Sequence, residues 1–242
     1  MMARQLGAEF CGTALLLLAI VGSGVTASSD GAGSAQLFQH AVVVGATLAA
    51  LIATFGAVSG AHFNPVVTLV DALLGGVGLR AAAGYVTAQV GGALSGVVLA
   101  NVLFDLQPIA LSTTDRSGGA LALSEAVATF GLLIVIFGVV GSGRTGAVPA
   151  AVGAWIGGAI YFTSSASFAN PAVTLARQLT DTYTGIAPAA VPGFLLSQLV
   201  GGLVGALAVR WLFRPEAVAD EVLLPHPHTP HPDTYEEVDV PR

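Results

Sequence analysis

The stretch that decides the fold reads Ser59-Gly60-Ala61-His62-Phe63-Asn64-Pro65-Val66-Val67-Thr68. A second stretch, Ser167-Phe168-Ala169-Asn170-Pro171-Ala172-Val173-Thr174, repeats its pattern. In each, Asn-Pro follows a turn of small residues and precedes a short helix-forming run. Proline suits the first turn of a helix, because its missing N–H would be unpaired there in any case. The echo predicts a duplicated structure with a polar feature at its centre.

The composition around these elements is that of a membrane protein. Of 242 residues, 54% are hydrophobic and 9% are charged, and the mean hydropathy is +0.80. The eight basic residues are all arginine. Without the acidic C-terminal tail the rest of the chain is close to neutral, so the charge pattern gives no support to nucleic-acid binding. The single cysteine, Cys11, excludes an internal disulfide and a multi-cysteine metal site.

Six apolar runs approach the length of about 20 residues that a helix needs to cross a bilayer. They lie at about 6–26, 37–57, 80–104, 121–141, 146–164 and 189–213. The first run is interpreted as a span and not as a secretion signal, because Glu9 interrupts it and a similar pattern returns at Glu125. Two shorter segments, 64–76 and 170–182, cannot cross alone and are predicted as re-entrant half-helices.

Three landmarks recur with similar offsets, which indicates an internal repeat. The pairs are Glu9 with Glu125, Asn64 with Asn170, and Gln89 with Gln198. Repeat one covers 5–104 and repeat two 121–213, within one channel domain at 1–213. Three spans per repeat is an odd number, so the second repeat is inverted and the half-helices meet near the midplane. The glycine pairs 91–92 and 201–202 are predicted as crossing points between the repeats.

The arginines set the expected orientation, with both termini cytoplasmic in the cell (plasma or inner) membrane. Arg116 and Arg177 then lie outside, and six lie inside: Arg4, Arg80, Arg144, Arg210, Arg214 and Arg242. Residues 214–242 are rich in proline, histidine and acidic residues and are predicted as a disordered cytoplasmic tail. Weak binding of a divalent metal by the tail histidines is the alternative interpretation.

The chemistry is expected at the two Asn-Pro elements. Irregular backbone at membrane depth survives only inside protein or along a wet path, so the carbonyls of 57–63 and 163–169 form a candidate ladder of acceptors. Asn64 and Asn170 would add amide donors at two positive helix ends, which repel cations. No nucleophile–base pair, phosphate loop or zinc spacing is present, so neither an enzyme nor a cofactor or metal site is expected. The residues expected along the path are Gly60, Ala61, His62, Ala166 and Phe168.

Together these motifs resemble the aquaporin, or major intrinsic protein, family from Glu9 to about Phe213. The resemblance implies an all-α membrane protein with a right-handed bundle of six transmembrane helices and two re-entrant half-helices. It also implies a homotetramer in which each subunit has its own pore. By the same likeness, the buried polar residues Glu9, Glu125, Gln89 and Gln198 are structural, and the two carboxylates brace the re-entrant loops.

Departures from the family pattern affect which solutes the pore is expected to conduct. Val66 replaces the usual alanine of the first box, and Val173 stands where relatives place the arginine of the narrowest constriction. When the family's other constriction positions are counted without gaps from the two asparagines, they correspond to Val44, Gly158 and Ser167 in this sequence. These side chains predict a wider and less polar opening. They resemble bacterial relatives of the nodulin-26-like group, which implies passage of water, glycerol-like polyols or neutral metalloid hydroxides such as arsenous acid.

Two alternatives stay open at this point. Arg177 lies one turn beyond Val173, and its guanidinium either reaches back to restore a water-selective filter, caps its half-helix, or pairs in the outer vestibule. An ion-coupled transporter would also have inverted repeats, and only Glu9 and Glu125 would serve its coupling. His40, at the start of the second span, is expected to be interfacial.

Overall fold

The fold is entirely helical in the described part of the chain. The computed structural model describes residues 2–29 and 33–213. Its α-helices are α1 (Met2–Ser29), α2 (Ser34–Ser59), α3 (Pro65–Leu73), α4 (Leu79–Leu103), α5 (Gly119–Gly141), α6 (Val148–Phe162), α7 (Pro171–Arg177) and α8 (Val191–Leu212). Single 3-10 turns precede α6 and α8 at Thr145–Ala147 and Pro188–Ala190. The predicted tail, 214–242, lies outside the described residues.

Six helical segments are long and apolar enough to cross a membrane, namely α1, α2, α4, α5, and α6 and α8 each with the 3-10 turn before it. The other two, α3 and α7, follow the Asn-Pro elements and are too short to cross. The predicted fold class of six spans with two half-helices is therefore confirmed.

The second half-helix is shorter than predicted, because it ends at Arg177 and not near 182. The connection between α4 and α5 competes for the backbone that follows. Ala110 N donates to the carbonyl of Leu179 at 3.1 Å, and Ser112 N donates to the carbonyl of Gln178 at 2.9 Å. These bonds hold the chain beside the connection and so end the helix.

Within each repeat, the first helix packs against the other two spans. In repeat one α1 lies against α2 and α4, and in repeat two α5 lies against α6 and α8. Gly92 faces the carbonyl of Phe10, and Gly201 faces the carbonyl of Ala126, with no room for a β-carbon at either glycine. Close approach of backbones at small residues is the usual way membrane helices associate. Both contacts join helices of one repeat, so the predicted crossing between repeats at these two glycines is wrong.

Contacts between the repeats come from α2 against α6 and from the half-helices. Helix α3 packs on α8 as well as on its own α4, and α7 packs on α4 as well as on its own α8. Gly202 of α8 provides the space for Val66 of α3. The two Asn-Pro elements are thus held at the centre of the bundle by spans from both repeats.

Candidate functional site

The two half-helices meet at their N-termini. Asn64 Nδ2 donates to the carbonyl of Ala169, and Asn170 Nδ2 donates to the carbonyl of Phe63, each at 2.8 Å. An amide nitrogen carries two hydrogens, so each asparagine keeps one further donor. Both asparagines line the central cavity. The midpoint of the cavity therefore presents two donors beside two positive helix ends.

The asparagines also determine where the half-helices begin. Asn64 Oδ1 accepts from Val66 N at 3.0 Å, and Asn170 Oδ1 accepts from Ala172 N at 3.0 Å and from Val173 N at 3.3 Å. These are helix N-caps, and Pro65 and Pro171 occupy the first helical positions after them. The side chains of the four residues after the caps, Pro65, Val66, Pro171 and Ala172, are buried behind the cavity wall.

The loops ahead of the caps have matched, unusual backbones. Ala61 and Phe63 have φ of 51° and 49°, and Ser167 and Ala169 have φ of 41° and 47°. Left-handed conformations are unfavourable for residues with a β-carbon and persist only where surrounding contacts hold them. The loops therefore need a brace.

Two buried carboxylates supply that brace. Glu9 accepts from the hydroxyl of Ser59 at 2.6 Å, from the backbone N–H groups of His62 and Phe63 at 3.0 and 2.8 Å, and from Gln89 Nε2 at 2.8 Å. Four donors thus converge on one carboxyl group, which ties the backbone at His62 and Phe63 to α1.

The second brace repeats the first. Glu125 accepts from the backbone N–H groups of Phe168 and Ala169, both at 2.9 Å, and from Gln198 Nε2 at 2.7 Å. The glutamines also reach the half-helices, since Gln89 donates to Thr68 Oγ1 at 2.9 Å and Gln198 donates to Thr174 Oγ1 at 2.8 Å. All four residues act as scaffold for the loops.

A central cavity of about 440 Å³ runs past both boxes. Spans α1, α2, α5 and α6 contribute apolar side chains to one side of it, including Leu16, Ile20, Val44, Leu48, Leu132, Ile136, Val152, Ile156 and Ile160. The loops contribute their backbones on the other side, with Gly60, Ala61, His62, Ala166, Ser167 and Phe168 among them. The cavity thus has an apolar wall and a polar wall.

The structure brings most of the predicted constriction residues to this cavity, namely Val44, Ser167, Val173 and Arg177. Gly158 does not line it. It lies in a groove on the α2–α6 surface with Gly153 and Gly157, while Ile156 and Ile160 face the cavity. Gly153 packs against the backbone of Gly45, and this contact rotates the small residues of α6 toward α2. The wall contributed by α6 is therefore bulkier than the spacing predicted.

Arg177 faces the cavity and does not cap its own half-helix. It is 3% exposed, its Nε donates to the carbonyl of Thr184, and its guanidinium carbon lies 3.4 Å from the ring centroid of Phe168. Among the described residues, Nη1 and Nη2 have no acceptor. The free edge of the guanidinium is therefore available to whatever occupies the cavity.

A second arginine holds the surrounding loops. Arg116 donates from Nε to the carbonyl of Gly185 at 2.7 Å, from Nη2 to that of Tyr183 at 2.9 Å, and from Nη1 to that of Ser165 at 3.4 Å. Burial lowers the pKa of Arg116 below its ordinary value. Arg116 is thus committed to structure. The end of the cavity that Arg177 lines is called the Arg177 end.

The opposite end of the cavity, called the Asp71 end, has a histidine in the loop. His62 Nδ1 is 3.1 Å from Thr68 Oγ1, and its Nε2 is 4.0 Å from Asp71 Oδ2. Asp71 Oδ2 accepts from Val77 N at 2.8 Å, and the aspartate lies behind the wall and not in the cavity lining. Only His62 of this pair contacts the cavity.

Sequence reasoning missed His40. This residue is 2% exposed, lines the cavity near the Arg177 end and is not interfacial. Helix α2 begins at Ser34, before the predicted start at 37, which places His40 well inside the helix. Its position one turn before Val44 on the same face was the available signal.

Comparisons with known proteins agree with this geometry. The family model described as major intrinsic protein matches residues 1–167. Aquaglyceroporin AqpS of Rhizobium meliloti (strain 1021) is 46% identical over 213 residues, which are 88% of this chain and 91% of that protein. Aquaporin NIP1-4 of Oryza sativa subsp. japonica is 32% identical over 85% of this chain and 75% of its own length.

The fold is also similar to a solved structure. The X-ray structure of the aquaglyceroporin from Plasmodium falciparum has a TM-score of 0.70 at 23% identity and covers 90% of this chain and 99% of that one. At that identity the similarity concerns the arrangement of helices alone.

Proposed function

The chain belongs to the major intrinsic protein family, and on that premise we propose that it passively conducts water and small uncharged hydroxylated solutes such as glycerol. Members of this family are channels and not enzymes. The proposal concerns the solute class and the residues that select it. Among the relatives, the aquaglyceroporin at 46% identity supports it.

The observation that carries the proposal is the two-sided wall at the constriction. Val44, Ile156 and Val173 present branched apolar side chains to the cavity, and Val173 occupies the sequence position at which relatives place the filter arginine. The loop carbonyls and the free edge of Arg177 provide the hydrogen bonds. A polyol fits such a wall, because its carbon skeleton packs on one side while its hydroxyls bond to the other.

The charge distribution favours neutral solutes. The half-helix N-termini and Arg177 place positive charge along the cavity, and no carboxylate lines the cavity among the described residues. A cation would meet positive charge without a compensating anion. Arsenous acid is an uncharged trihydroxide, so the same wall accommodates it, and we include neutral metalloid hydroxides in the proposed solute class.

Stopped-flow light scattering of proteoliposomes tests the proposal. Vesicles that contain the purified protein are expected to take up glycerol several-fold faster than empty vesicles under an inward glycerol gradient. Val173→Trp, which fills the constriction with an indole, is the blocked control and should return the rate to that of empty vesicles. Equal glycerol rates in wild-type and empty vesicles would exclude polyol conduction, and arsenous acid is measured in the same way.

A water-selective channel is the second candidate, and the placement of Arg177 favours it. A guanidinium that faces the cavity narrows the path and binds solute oxygens strongly. In that case the wild-type protein speeds water flux and not glycerol flux, and Arg177→Ala would open the pore to glycerol. The same vesicles distinguish the two candidates.

Coupled transport finds no support in the geometry. Glu9 and Glu125 already accept hydrogen bonds from four and three protein donors, respectively. Neither lines the cavity. Solute flux that ignores proton and sodium gradients is therefore expected, and accumulation against a concentration gradient would contradict passive conduction.

We further propose a homotetramer in the cell membrane, with the Arg177 end outside and the termini cytoplasmic. Four described arginines, at positions 4, 80, 144 and 210, lie in or directly beside the helix ends on the Asp71 side, which matches the bias of cytoplasmic loops toward positive residues. Native mass spectrometry of the detergent-solubilised protein tests the tetramer. Accessibility of engineered cysteines to an impermeant reagent in intact cells tests the orientation.

A further inference from the structure

Two polar side chains lie one helical turn beyond the apolar constriction. His40 is one turn from Val44 on α2, and Arg177 is one turn from Val173 on α7. Both steps lead toward the same end, because α2 enters the bundle at the Arg177 end and α7 runs toward it. Both side chains line the cavity and are almost fully buried, at 2% and 3% exposure.

One short loop segment holds both residues. The ring of His40 stacks edge-on against the ring of Tyr183 at a centroid distance of 6.1 Å. The next residue, Thr184, accepts the hydrogen bond from Arg177 Nε through its carbonyl. Because adjacent residues contact the two side chains, His40 and Arg177 lie at the same level of the cavity.

The contacts of Ser23 bear on which nitrogen of His40 carries the proton. Ser23 Oγ lies 3.2 Å from the carbonyl of Ile20, to which it donates, and 2.8 Å from His40 Nδ1. We assign the ring hydrogen to Nδ1, because in that tautomer both contacts of Ser23 are satisfied hydrogen bonds. Nε2 is then a bare acceptor. It has no protein partner among the described residues and is not sealed from the cavity.

His40 and Arg177 therefore complement each other. Arg177 offers the N–H groups of Nη1 and Nη2, which can only donate, and His40 offers one lone pair, which can only accept. A hydroxyl group is both donor and acceptor, so it can satisfy the two side chains at once. The ring of Phe168 beneath the guanidinium and the side chain of Ile160 supply the apolar contact for the attached carbon.

We propose that this pair is the hydrogen-bonding selectivity site of the channel and that His40 is a specificity-determining residue for hydroxylated solutes. The site lies one turn beyond the constriction formed by Val44 and Val173, toward the Arg177 end. A solute hydroxyl donates to His40 Nε2 while it accepts from an Arg177 Nη group. The inference rests on the proposed conduction of uncharged polyols and adds the residue that recognises them.

The test compares glycerol and water permeabilities of proteoliposomes for the wild type, His40→Leu and His40→Gln. Leucine removes the acceptor at similar volume, and glutamine restores a carbonyl acceptor at similar reach. One lost hydrogen bond predicts a glycerol-to-water permeability ratio about fivefold lower in His40→Leu. The water permeability is less affected, since neighbouring water molecules in the pore replace the lost hydrogen bond. The His40→Gln variant should recover most of the ratio.

Gln36→Leu is the matched control. Gln36 lies one further turn along α2, bonds to Ser28 Oγ at 2.6 Å and does not line the cavity, so its ratio should equal that of the wild type. An unchanged ratio in His40→Leu, or equal losses of glycerol and water flux in both His40 variants, would overturn the role of His40. A wild-type protein without glycerol flux would instead overturn the proposed function, so the two failures are distinguishable.

Discussion

The two ends of the cavity have the same backbone and opposite chemistry. Counted from the asparagines, His62 and Phe168 occupy equivalent positions two residues before, and Asp71 and Arg177 occupy equivalent positions seven residues after. The equivalent partners contact each other in both repeats. His62 Nε2 is 4.0 Å from Asp71 Oδ2, and the guanidinium carbon of Arg177 is 3.4 Å from the Phe168 ring centroid.

Some features are shared by the two repeats and others differ between them. The carboxylate braces, the caps and the left-handed loop residues recur in both repeats because the re-entrant backbone cannot exist without them. The pair that packs beside each loop is free to change. At the Asp71 end the charge lies behind the wall, whereas at the Arg177 end it faces the cavity. Selectivity is therefore expected mainly from the Arg177 end of the cavity.

The largest expected effect comes from removal of either brace. Glu9→Ala leaves four buried donors without a partner and Glu125→Ala leaves three, and each such donor costs about 1–3 kcal/mol. Both variants should lose most of the folded protein, Glu9→Ala more than Glu125→Ala. The yield of monodisperse protein and the thermal unfolding midpoint in detergent measure this. Ser95→Ala, on an exposed face of α4, is the neutral control, and equal midpoints for all variants would contradict the bracing role.

The next effect tests whether the two repeats pack equivalently. Gly92→Ala and Gly201→Ala each drive a methyl group into a backbone carbonyl of a neighbouring helix, which overpacks the contact by about 1–3 kcal/mol. Similar losses in unfolding midpoint are expected for the two. Gly7→Ala, where a β-carbon meets nothing within 4 Å, should be neutral or slightly stabilising. A large loss in only one of the glycine variants would show that the repeats do not share this packing.

A smaller effect is expected on transport at the Arg177 end. Arg177→Met keeps the length of the side chain but removes the donors that face the cavity, so glycerol permeability should fall about fivefold while the protein stays folded. The sign of the change is decisive. A rise in glycerol permeability would identify Arg177 as the barrier of a water-selective pore.

The smallest effect is expected at the equivalent position of the other end. Asp71→Asn keeps the acceptor for Val77 N and leaves the cavity lining unchanged. Water and glycerol permeabilities should both stay within about twofold of the wild type. The asparagine carbonyl still accepts the hydrogen bond from Val77 N, so most of that interaction is kept. A change as large as that of Arg177→Met would show that both ends select the solute.

The sequence was sufficient for the scaffold because the scaffold is encoded locally and twice. Asn64 and Asn170 identify the caps, the prolines after them identify the half-helices, and Glu9 with Glu125 identifies the braces. Each motif places a group that re-entrant backbone requires. The second half-helix was overestimated because its end depends on bonds from the distant Ala110 and Ser112, and a local pattern does not contain such bonds.

The lining of the pore was harder to predict, for reasons of helix rotation. In α6 every residue is apolar or small, so hydropathy does not distinguish the side that faces the cavity from the side that faces lipid. Packing of Gly153 against Gly45 settles that rotation and directs Ile156 and Ile160, and not Gly158, inward. His40 was missed because the start of α2 was placed three residues late, which moved a buried residue to the interface.

The reciprocal bonds between the two boxes have a consequence for biosynthesis. Asn64 finds its acceptor on Ala169, and Asn170 finds its acceptor on Phe63, so each half of the chain completes the other. Before the second half is inserted, Asn64 lacks this acceptor. Two halves expressed as separate chains, divided in the connection between α4 and α5, are therefore expected to complete the contact only after they associate.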